Sequence, residues 1–240
     1  MPMIHVSDGT GLYFEEAGQG TAVIFVHEFA GDYRTWEPQM RFFSRSHRCV
    51  TFSARGYPPS DVPDDRNRYS QDIARGDVIA VMNHLNIERA HIVGHSMGAY
   101  TALHVGINNP ERCISVTAAG CGWGSNPSER DASAQLCEDI ATMFEQEPIA
   151  IAADKYAHAA MRMSFKAKDP RGFAEFAEML ADHSGLGSAL TMRRVQLKRP
   201  TLWELETELR AFEIPLLVIL GDEDAPCLDG SIFLKRTVPS

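Results

Sequence analysis

The stretch His91-Ile92-Val93-Gly94-His95-Ser96-Met97-Gly98-Ala99 decides the fold of this chain. Its apolar run ends in Gly-x-Ser-x-Gly and a helical pattern follows at once, which predicts a strand, a sharp turn and a helix. A turn this tight strains the Ser96 backbone and leaves the hydroxyl clear of the sheet edge, above a helix N-terminus. Gly-x-Ser-x-Gly also occurs by chance, but the flanking strand and helix favour a nucleophilic serine at position 96.

Strand and helix patterns alternate along most of the chain. The run Thr21-Ala22-Val23-Ile24-Phe25-Val26 is apolar and rich in β-branched residues, as in a strand covered on both faces of a parallel sheet, and residues 214–220 have the same character. Further predicted strands span residues 4–7, 11–16, 49–53, 89–93 and 114–119. Predicted helices span residues 33–44 and 97–108, and a third begins after Ser70, a residue type that favours the N-cap position.

Helical patterns alone occupy the chain from about residue 131 to residue 208. Apolar side chains recur there at helical spacing in three stripes, which begin at Leu136, Ile149 and Phe173. We therefore expect an α/β fold with a mostly parallel sheet flanked by helices and an inserted all-helical cap. The predicted core comprises residues 1–122 and 211–240, and the predicted cap comprises residues 123–210.

The composition indicates the class of protein and excludes several partners. Hydrophobic residues make up 44% and charged residues 23% of the 240 positions, as in an ordinary soluble enzyme. The net charge of −9 argues against nucleic acid or an anionic membrane surface as a partner. Since no apolar run reaches the length of a membrane span and the N-terminus does not resemble a signal peptide, we expect a cytoplasmic protein.

The sequence gives no indication of a metal or a cofactor. The five cysteines are scattered and form no Cys-x-x-Cys pair, so we expect buried free thiols rather than metal ligands. A Gly-rich dinucleotide fingerprint and a phosphate-binding Gly-x-x-x-x-Gly-Lys pattern are both missing from the sequence. The expected chemistry therefore uses side chains and backbone groups only.

Four landmarks make the chain resemble the α/β-hydrolase family along essentially its whole length. They are the nucleophile elbow at residues 94–98, the strand and oxyanion loop at residues 25–29, the structural turn of Arg55-Gly56 with Ser60, and the acid-bearing strand end at residues 221–224. Within the family, the chain most resembles esterases, enol-lactonases and carbon–carbon bond hydrolases with a helical cap.

The resemblance implies acyl transfer through a covalent intermediate. Ser96 would attack a carbonyl carbon, and the backbone N–H groups of Phe29 and Met97 would hold the oxyanion. A histidine would take the serine proton, oriented by a carboxylate for which Asp224 is the first candidate and Asp222 the second.

The histidine of this triad is missing from the expected place. The family order is serine, acid, histidine, yet none of the nine histidines follows Asp224. We therefore expect the catalytic histidine beyond Ser240, together with the last strand and the loop that carries it. Two alternatives stay open, namely a naturally short form that binds a ligand without turnover, and a base from elsewhere in the chain.

The histidines present are weak candidates for that base. His95 precedes Ser96 on the elbow, so its side chain is expected to point away from the serine. His27 lies under the oxyanion loop, where a structural hydrogen-bonding role is expected. His158 and His183 fall in the predicted cap, where surface or lid positions are usual.

Trp123, Glu28 and His95 are the residues expected to line the substrate pocket. Glu28 departs from the family's usual glycine, and a carboxylate near a developing negative charge is unfavourable, so it is expected to turn toward solvent or a basic partner. The cap is rich in methionine and phenylalanine, which favours a small to medium acyl substrate with an apolar part. A perhydrolase or haloperoxidase-like activity is an alternative, and the choice between monomer and homodimer is open.

Overall fold

The computed structural model of the chain describes residues 2–239, and its centre is a seven-stranded sheet. The strands are β1 (Met3–His5), β2 (Gly11–Ala17), β3 (Ala22–Val26), β4 (Arg48–Phe52), β5 (Ala90–His95), β6 (Cys113–Ala119) and β7 (Leu216–Ile219). Each lies within two residues of a strand expected from the sequence. The predicted α/β class is thereby confirmed.

The strand order is β1-β2-β4-β3-β5-β6-β7. β1 pairs antiparallel with β2, and β2 antiparallel with β4, whereas the other four pairings are parallel. The carboxyl ends of β3, β5, β6 and β7 therefore meet at one edge, where ligands bind in open parallel sheets. Ser96 directly follows β5 at this edge.

Helices cover the sheet and fill the long connection between β6 and β7. They are α1 (Glu37–Phe43), α2 (Gln71–His84), α3 (Met97–Asn108), α4 (Arg130–Gln146), α5 (Ile149–Ala157), α6 (Met163–Lys168), α7 (Pro170–Ala181), α8 (Gly185–Thr191), α9 (Glu206–Arg210) and α10 (Ala225–Thr237). The Ser70 side chain accepts a hydrogen bond from the Ile73 N–H, which confirms it as the N-cap of α2. The predicted helix 33–44 begins as a 3-10 turn before α1.

The two faces of the sheet are covered unequally. Ile24, Ile92 and Val116 belong to the largest apolar cluster, which also includes side chains of α2 and α3. On the opposite face, Val23 and Phe25 pack in a smaller cluster with side chains of α1 and the 3-10 turn that precedes it. The helices that position the elbow therefore lie on the well-covered face.

The prediction that residues 214–220 form a strand buried on both faces is wrong. β7 is the last strand in the sheet order, and Leu217 and Ile219 are 56% and 49% exposed. Register pairing places Leu217 in a row with Thr117, Val93 and Phe25, on the sparsely covered face. The apolar run correctly indicated a strand. Whether such a strand is buried depends on the elements that pack against it, which its own sequence does not specify.

Every described element between β6 and β7 is helical, as expected from the three apolar stripes. We call residues 123–210 the helical insert. Its α8 approaches the core closely, because a Cβ on Gly187 would lie 1.9 Å from the Gly56 carbonyl oxygen. The division into a core and a separately defined cap remains a prediction.

Two further expectations concern the chain as a whole. All five cysteines are buried and unbridged, as the sequence indicated. Over residues 2–239, no helix combines the length and the apolar composition that a membrane crossing requires.

Candidate active site

The elbow has the strained geometry that its sequence predicts. Ser96 adopts φ 52° and ψ −110°, a left-handed conformation that L residues rarely take, directly before the first residue of α3. Its N–H donates to the Ala119 carbonyl at 2.8 Å, which ties the strained turn to the end of β6. Such strain persists only where the surroundings impose it, and it is typical of functional sites.

Two glycines make this turn possible. A Cβ on Gly94 would lie 2.1 Å from the Gly98 carbonyl oxygen, and a Cβ on Gly98 would lie 2.1 Å from the Val26 carbonyl oxygen. Because both neighbours are backbone atoms, they have little freedom to move aside. The Gly-x-Ser-x-Gly spacing therefore packs β5, α3 and the end of β3 at distances that only glycine permits.

The loop after β3 is held by a neutral histidine. The Ala54 N–H donates to His27 Nε2 at 2.9 Å, so the proton lies on Nδ1, which donates to the Glu28 carbonyl at 2.6 Å. Burial lowers the pKa of His27 to about 4, against smaller opposing effects from Glu28 and Asp32. The expected structural role of His27 agrees with this geometry, and both of its ring nitrogens are engaged.

Two backbone N–H groups, those of Phe29 and Met97, are candidates for holding an oxyanion. No acceptor within residues 2–239 takes a hydrogen bond from the N–H of Phe29 or of Met97. Phe29 lies in the loop after β3, and Met97 is the first residue of α3, where the helix dipole adds partial positive charge. Free N–H groups of this kind suit an oxyanion, although their assignment to Phe29 and Met97 remains a prediction.

Glu28 turns to a basic partner and is nevertheless buried in the site. Its Oε2 lies 3.0 Å from Arg162 Nη2, and the two side chains are 11% and 14% exposed. Burial would raise the pKa of Glu28, but the charge of Arg162, assisted by His95, lowers it to about 2. The carboxylate is thus neutralised by a guanidinium rather than by solvent, which removes the conflict with a developing oxyanion.

The far end of the same loop is anchored by Asp32. Its carboxylate accepts from the Arg34 N–H at 2.8 Å and from Arg34 Nη2 at 2.6 Å, while His183 Nε2 lies 3.5 Å away. These contacts hold the pKa of Asp32 well below its usual range, although burial acts in the opposite direction. His183 is therefore buried at the base of the helical insert, and its expected surface or lid position is wrong.

One cavity of about 380 Å³ brings most of the predicted site residues together. Its wall includes the candidate nucleophile Ser96, the candidate oxyanion residue Phe29 and the first-choice acid Asp224. The three predicted pocket residues, Trp123, Glu28 and His95, also line it. Met97 is buried and is not among the residues that line this cavity. Leu136, Ile140 and Met143 of α4 supply an apolar side, so the helical insert forms part of the wall.

The structure favours Asp224 over Asp222 as the acid of this cavity. Asp224 lines it, whereas Asp222 is exposed outside it. A Cβ on Gly120 would lie 3.4 Å from Asp224 Oδ2 and 3.5 Å from His95 Nε2, so both groups stand close to this glycine. No hydrogen bond among residues 2–239 joins His95 to Ser96 or to Asp224, and His95 is therefore a wall residue without triad contacts.

Several wall residues were not singled out from the sequence as pocket residues. Arg162, Tyr156, Gln196 and Cys227 all line the cavity. Arg162 lies over the Tyr156 and Phe176 rings at 5.2 and 4.7 Å from their centroids. A carboxylate at position 28, close to a developing negative charge, was the one sequence signal that a buried cation lies nearby. Nothing in the sequence identified which arginine supplies that cation.

The cations of the cavity wall are already paired. Arg162 binds Glu28, and Lys155 Nζ lies 2.7 Å from both carboxylate oxygens of Glu147. No group of three or more metal-ligating side chains suited to a metal ion is present over residues 2–239. The arrangement thus offers a hydroxyl, amide donors and a carboxylate to a small ligand.

Comparison with known proteins agrees with this geometry. The family model described as alpha/beta hydrolase fold matches residues 21–226. The chain is 28% identical to 3-oxoadipate enol-lactonase 1 of Acinetobacter baylyi over 206 residues, which cover 85% of this chain and 71% of the relative. It is 35% identical to an epoxide hydrolase of Caballeronia sordidicola over 107 residues, which cover 44% of this chain and 32% of the relative.

Solved structures show the same fold at lower identity. The enol-lactonase from Burkholderia xenovorans superposes with a TM-score of 0.83 at 21% identity, covering 99% of this chain and 88% of the other. A thermophilic esterase from Thermogutta terrifontis gives a TM-score of 0.82 at 22% identity, covering 99% and 86%. The elbow and the sheet order agree with the family model, which matches residues 21–226. The chain therefore belongs to the α/β-hydrolase fold family.

Proposed function

We propose that this chain is a serine hydrolase that cleaves an ester, a lactone or a related acyl compound through an acyl-enzyme. The observation that carries the proposal is Ser96 at φ 52°, which lies on its elbow in one cavity with Asp224. The enol-lactonase relatives support a lactone or ester substrate.

The proposed reaction has two steps. Ser96 Oγ attacks the substrate carbonyl and loses its proton to a base, while the N–H groups of Phe29 and Met97 stabilise the oxyanion. Collapse of the tetrahedral intermediate expels the alcohol, and water then cleaves the Ser96 ester to release the acid. The role of Asp224 is to orient an imidazole between itself and Ser96.

The epoxide hydrolase relative does not suggest epoxide chemistry for this site. Attack of a hydroxyl on an epoxide would join Ser96 to the substrate through an ether. Water can cleave the ester formed by a carbonyl substrate, because the ester has an electrophilic carbon, but an ether offers no such carbon. A serine nucleophile is therefore productive with an acyl substrate but not with an epoxide.

The charges around the cavity favour a neutral substrate. Arg162 and Lys155 are each paired with a carboxylate, and Asp224 adds a further negative group. A substrate carboxylate would have to displace Glu28 or Glu147 to gain a cationic partner. With Phe29, Trp123 and the α4 side chains as its apolar wall, the cavity suits a small uncharged ester or lactone.

A fluorophosphonate probe tests the proposal, because it phosphonylates serines that are activated as nucleophiles. We expect one label on the 240-residue chain, mapped by peptide mass spectrometry to Ser96 and lost in Ser96→Ala. Ser7, which lies in the turn after β1, serves as the matched control in Ser7→Ala, which should keep the label. A folded chain without any label at Ser96 would overturn the proposal.

One observation favours a second candidate, a ligand-binding protein of hydrolase fold without turnover. No histidine within residues 2–239 makes a hydrogen bond to Ser96 or Asp224, so the described site contains no oriented base. Saturable binding of small esters that stay intact during hours of incubation would support this candidate.

A further inference from the structure

Gln196 ends a helical segment of unusual geometry in the wall of the cavity. Residues Met192–Gln196 form a π-helical turn after α8, closed by a 2.9 Å hydrogen bond from the Leu197 N–H to the Met192 carbonyl. Such turns are rare and frequently mark functional sites, because the inserted residue redirects side chains. Here the turn ends at Gln196, whose side chain lines the cavity of Ser96.

A buried arginine fixes which end of the Gln196 amide faces the cavity. Arg199 Nη1 donates to Gln196 Oε1. Arginine has donors only, so it must meet the amide oxygen, and Nε2 must point the other way. No acceptor within residues 2–239 takes a hydrogen bond from Nε2, and Nε2 is not among the enclosed side-chain atoms that lack partners. Nε2 is thus accessible, and it belongs to a residue that lines the cavity.

Arg199 is itself held so that it cannot relax away from Gln196. It is 5% exposed, its Nη2 donates to the Trp123 carbonyl at 3.0 Å, and its guanidinium lies 3.5 Å from the centroid of the Tyr100 ring. No carboxylate within residues 2–239 pairs with it. A cation on the amide oxygen polarises the amide, which strengthens the N–H donors at its other end.

We propose that Gln196 determines specificity by donating from Nε2 to an uncharged oxygen acceptor of the substrate, such as a second carbonyl, an ether or a hydroxyl, and that Arg199 positions it. The proposal deepens the proposed function and rests on the same cavity. An uncharged acceptor fits because the two cations in the cavity wall, Lys155 and Arg162, are already paired with Glu147 and Glu28, and the wall carries the further carboxylate of Asp224.

A matched pair of ketones tests the donor without requiring catalysis. Heptane-2,6-dione carries a second carbonyl that heptan-2-one lacks, and Ser96 cannot hydrolyse either compound. We expect the wild-type chain to bind the dione about 3- to 10-fold more tightly in calorimetric titration, which is the range of one net hydrogen bond. Gln196→Met should abolish the preference, whereas Gln135→Met, on the exposed side of α4, should keep it.

Two further variants sharpen the test. Gln196→Glu keeps an oxygen for Arg199 but replaces the donor with a second oxygen, so we expect it to bind the dione no better than the monoketone. Arg199→Met should lower the preference by freeing the amide; if it fails to fold, the Gln196 variants still decide. The proposal is overturned if Gln196→Met retains the wild-type preference, or if the wild type binds the two ketones equally or binds neither.

The same titrations in Ser96→Ala separate this inference from the hydrolase proposal. A Gln196-dependent preference that persists in Ser96→Ala, in a chain that fluorophosphonate does not label, would overturn the serine chemistry and leave the specificity role intact. Labelling at Ser96 with no Gln196-dependent preference would support the serine chemistry and overturn the specificity role of Gln196.

Discussion

Glu28 and Arg162 lie 134 residues apart and form an ion pair, with Arg162 Nη1 and Nη2 at 3.5 and 3.0 Å from the two Glu28 carboxylate oxygens. Glu28 belongs to the loop that supplies a candidate oxyanion donor, and Arg162 belongs to the helical insert. The pair therefore couples the position of the insert to the geometry of the loop.

Glu28→Gln should destabilise the chain by about 3 kcal/mol, because it leaves the Arg162 charge largely buried without a counterion. Glu147→Gln, which breaks the more exposed pair with Lys155, should cost less than about 1 kcal/mol. Urea unfolding of both variants measures the difference. Equal losses in the two variants would contradict the assigned importance of the Glu28 pair.

Gly98→Ala should destabilise the chain by at least about 3 kcal/mol, since its Cβ would lie 2.1 Å from the Val26 carbonyl oxygen. Gly76→Ala is the matched control, because it lies inside α2 with no atom within 4 Å of the added Cβ. That change should stabilise the chain by about 0.5–1 kcal/mol through helix propensity. Thermal unfolding of the two single variants tests the contrast, and a tolerated Gly98→Ala would argue against the close packing at the elbow.

Added imidazole should accelerate fluorophosphonate labelling of Ser96, because the described residues place no hydrogen-bonded histidine between Ser96 and Asp224. A free imidazole at that position can act as the base, and we expect about a 10-fold faster reaction at saturating concentration. The acceleration should persist in His95→Gln and fall in Asp224→Asn. If His95→Gln abolished both labelling and acceleration, His95 would be the base after all.

His27 should stay neutral with its proton on Nδ1 down to a pH of about 4. Its pKa is lowered by folding, so the unfolded chain binds more protons between pH 6.5 and 4, and the free energy of unfolding should fall as the pH falls through that window. Nitrogen-15 shifts of the ring report the tautomer, and urea unfolding across the window reports the slope. A ring that titrates near pH 6.5 would rule out the engaged, buried state described here.

The elbow, the strands and the length of α3 followed from the sequence because they rest on local rules. Gly94, Ser96 and Gly98 specify one backbone path, and the α3 bounds match the prediction at both ends. The exposure of β7 could not be predicted from the sequence. An apolar run such as Leu216-Leu217-Val218-Ile219 has the same pattern whether or not another element packs against the strand.

Contacts across the helical insert were also beyond sequence reasoning. Arg162 and Gln196 reach the cavity only through the way in which α5 to α8 fold over the sheet, and no periodicity encodes that path. The burial of His183 has the same origin, since its partners Asp32 and Tyr57 come from distant loops of the core. Local pattern thus predicted the backbone path of the elbow, whereas tertiary packing decided which side chains surround it.

The glycine-to-glycine approach of Gly187 and Gly56 limits how this protein can change. A Cβ at position 187 would lie 1.9 Å from the Gly56 carbonyl oxygen, so any side chain there would force α8 and the core apart locally. Position 187 is therefore restricted to glycine, whereas the insert residues that line the cavity, such as Leu136 and Ile140, are free of this restriction and are the positions where substrate range can diversify.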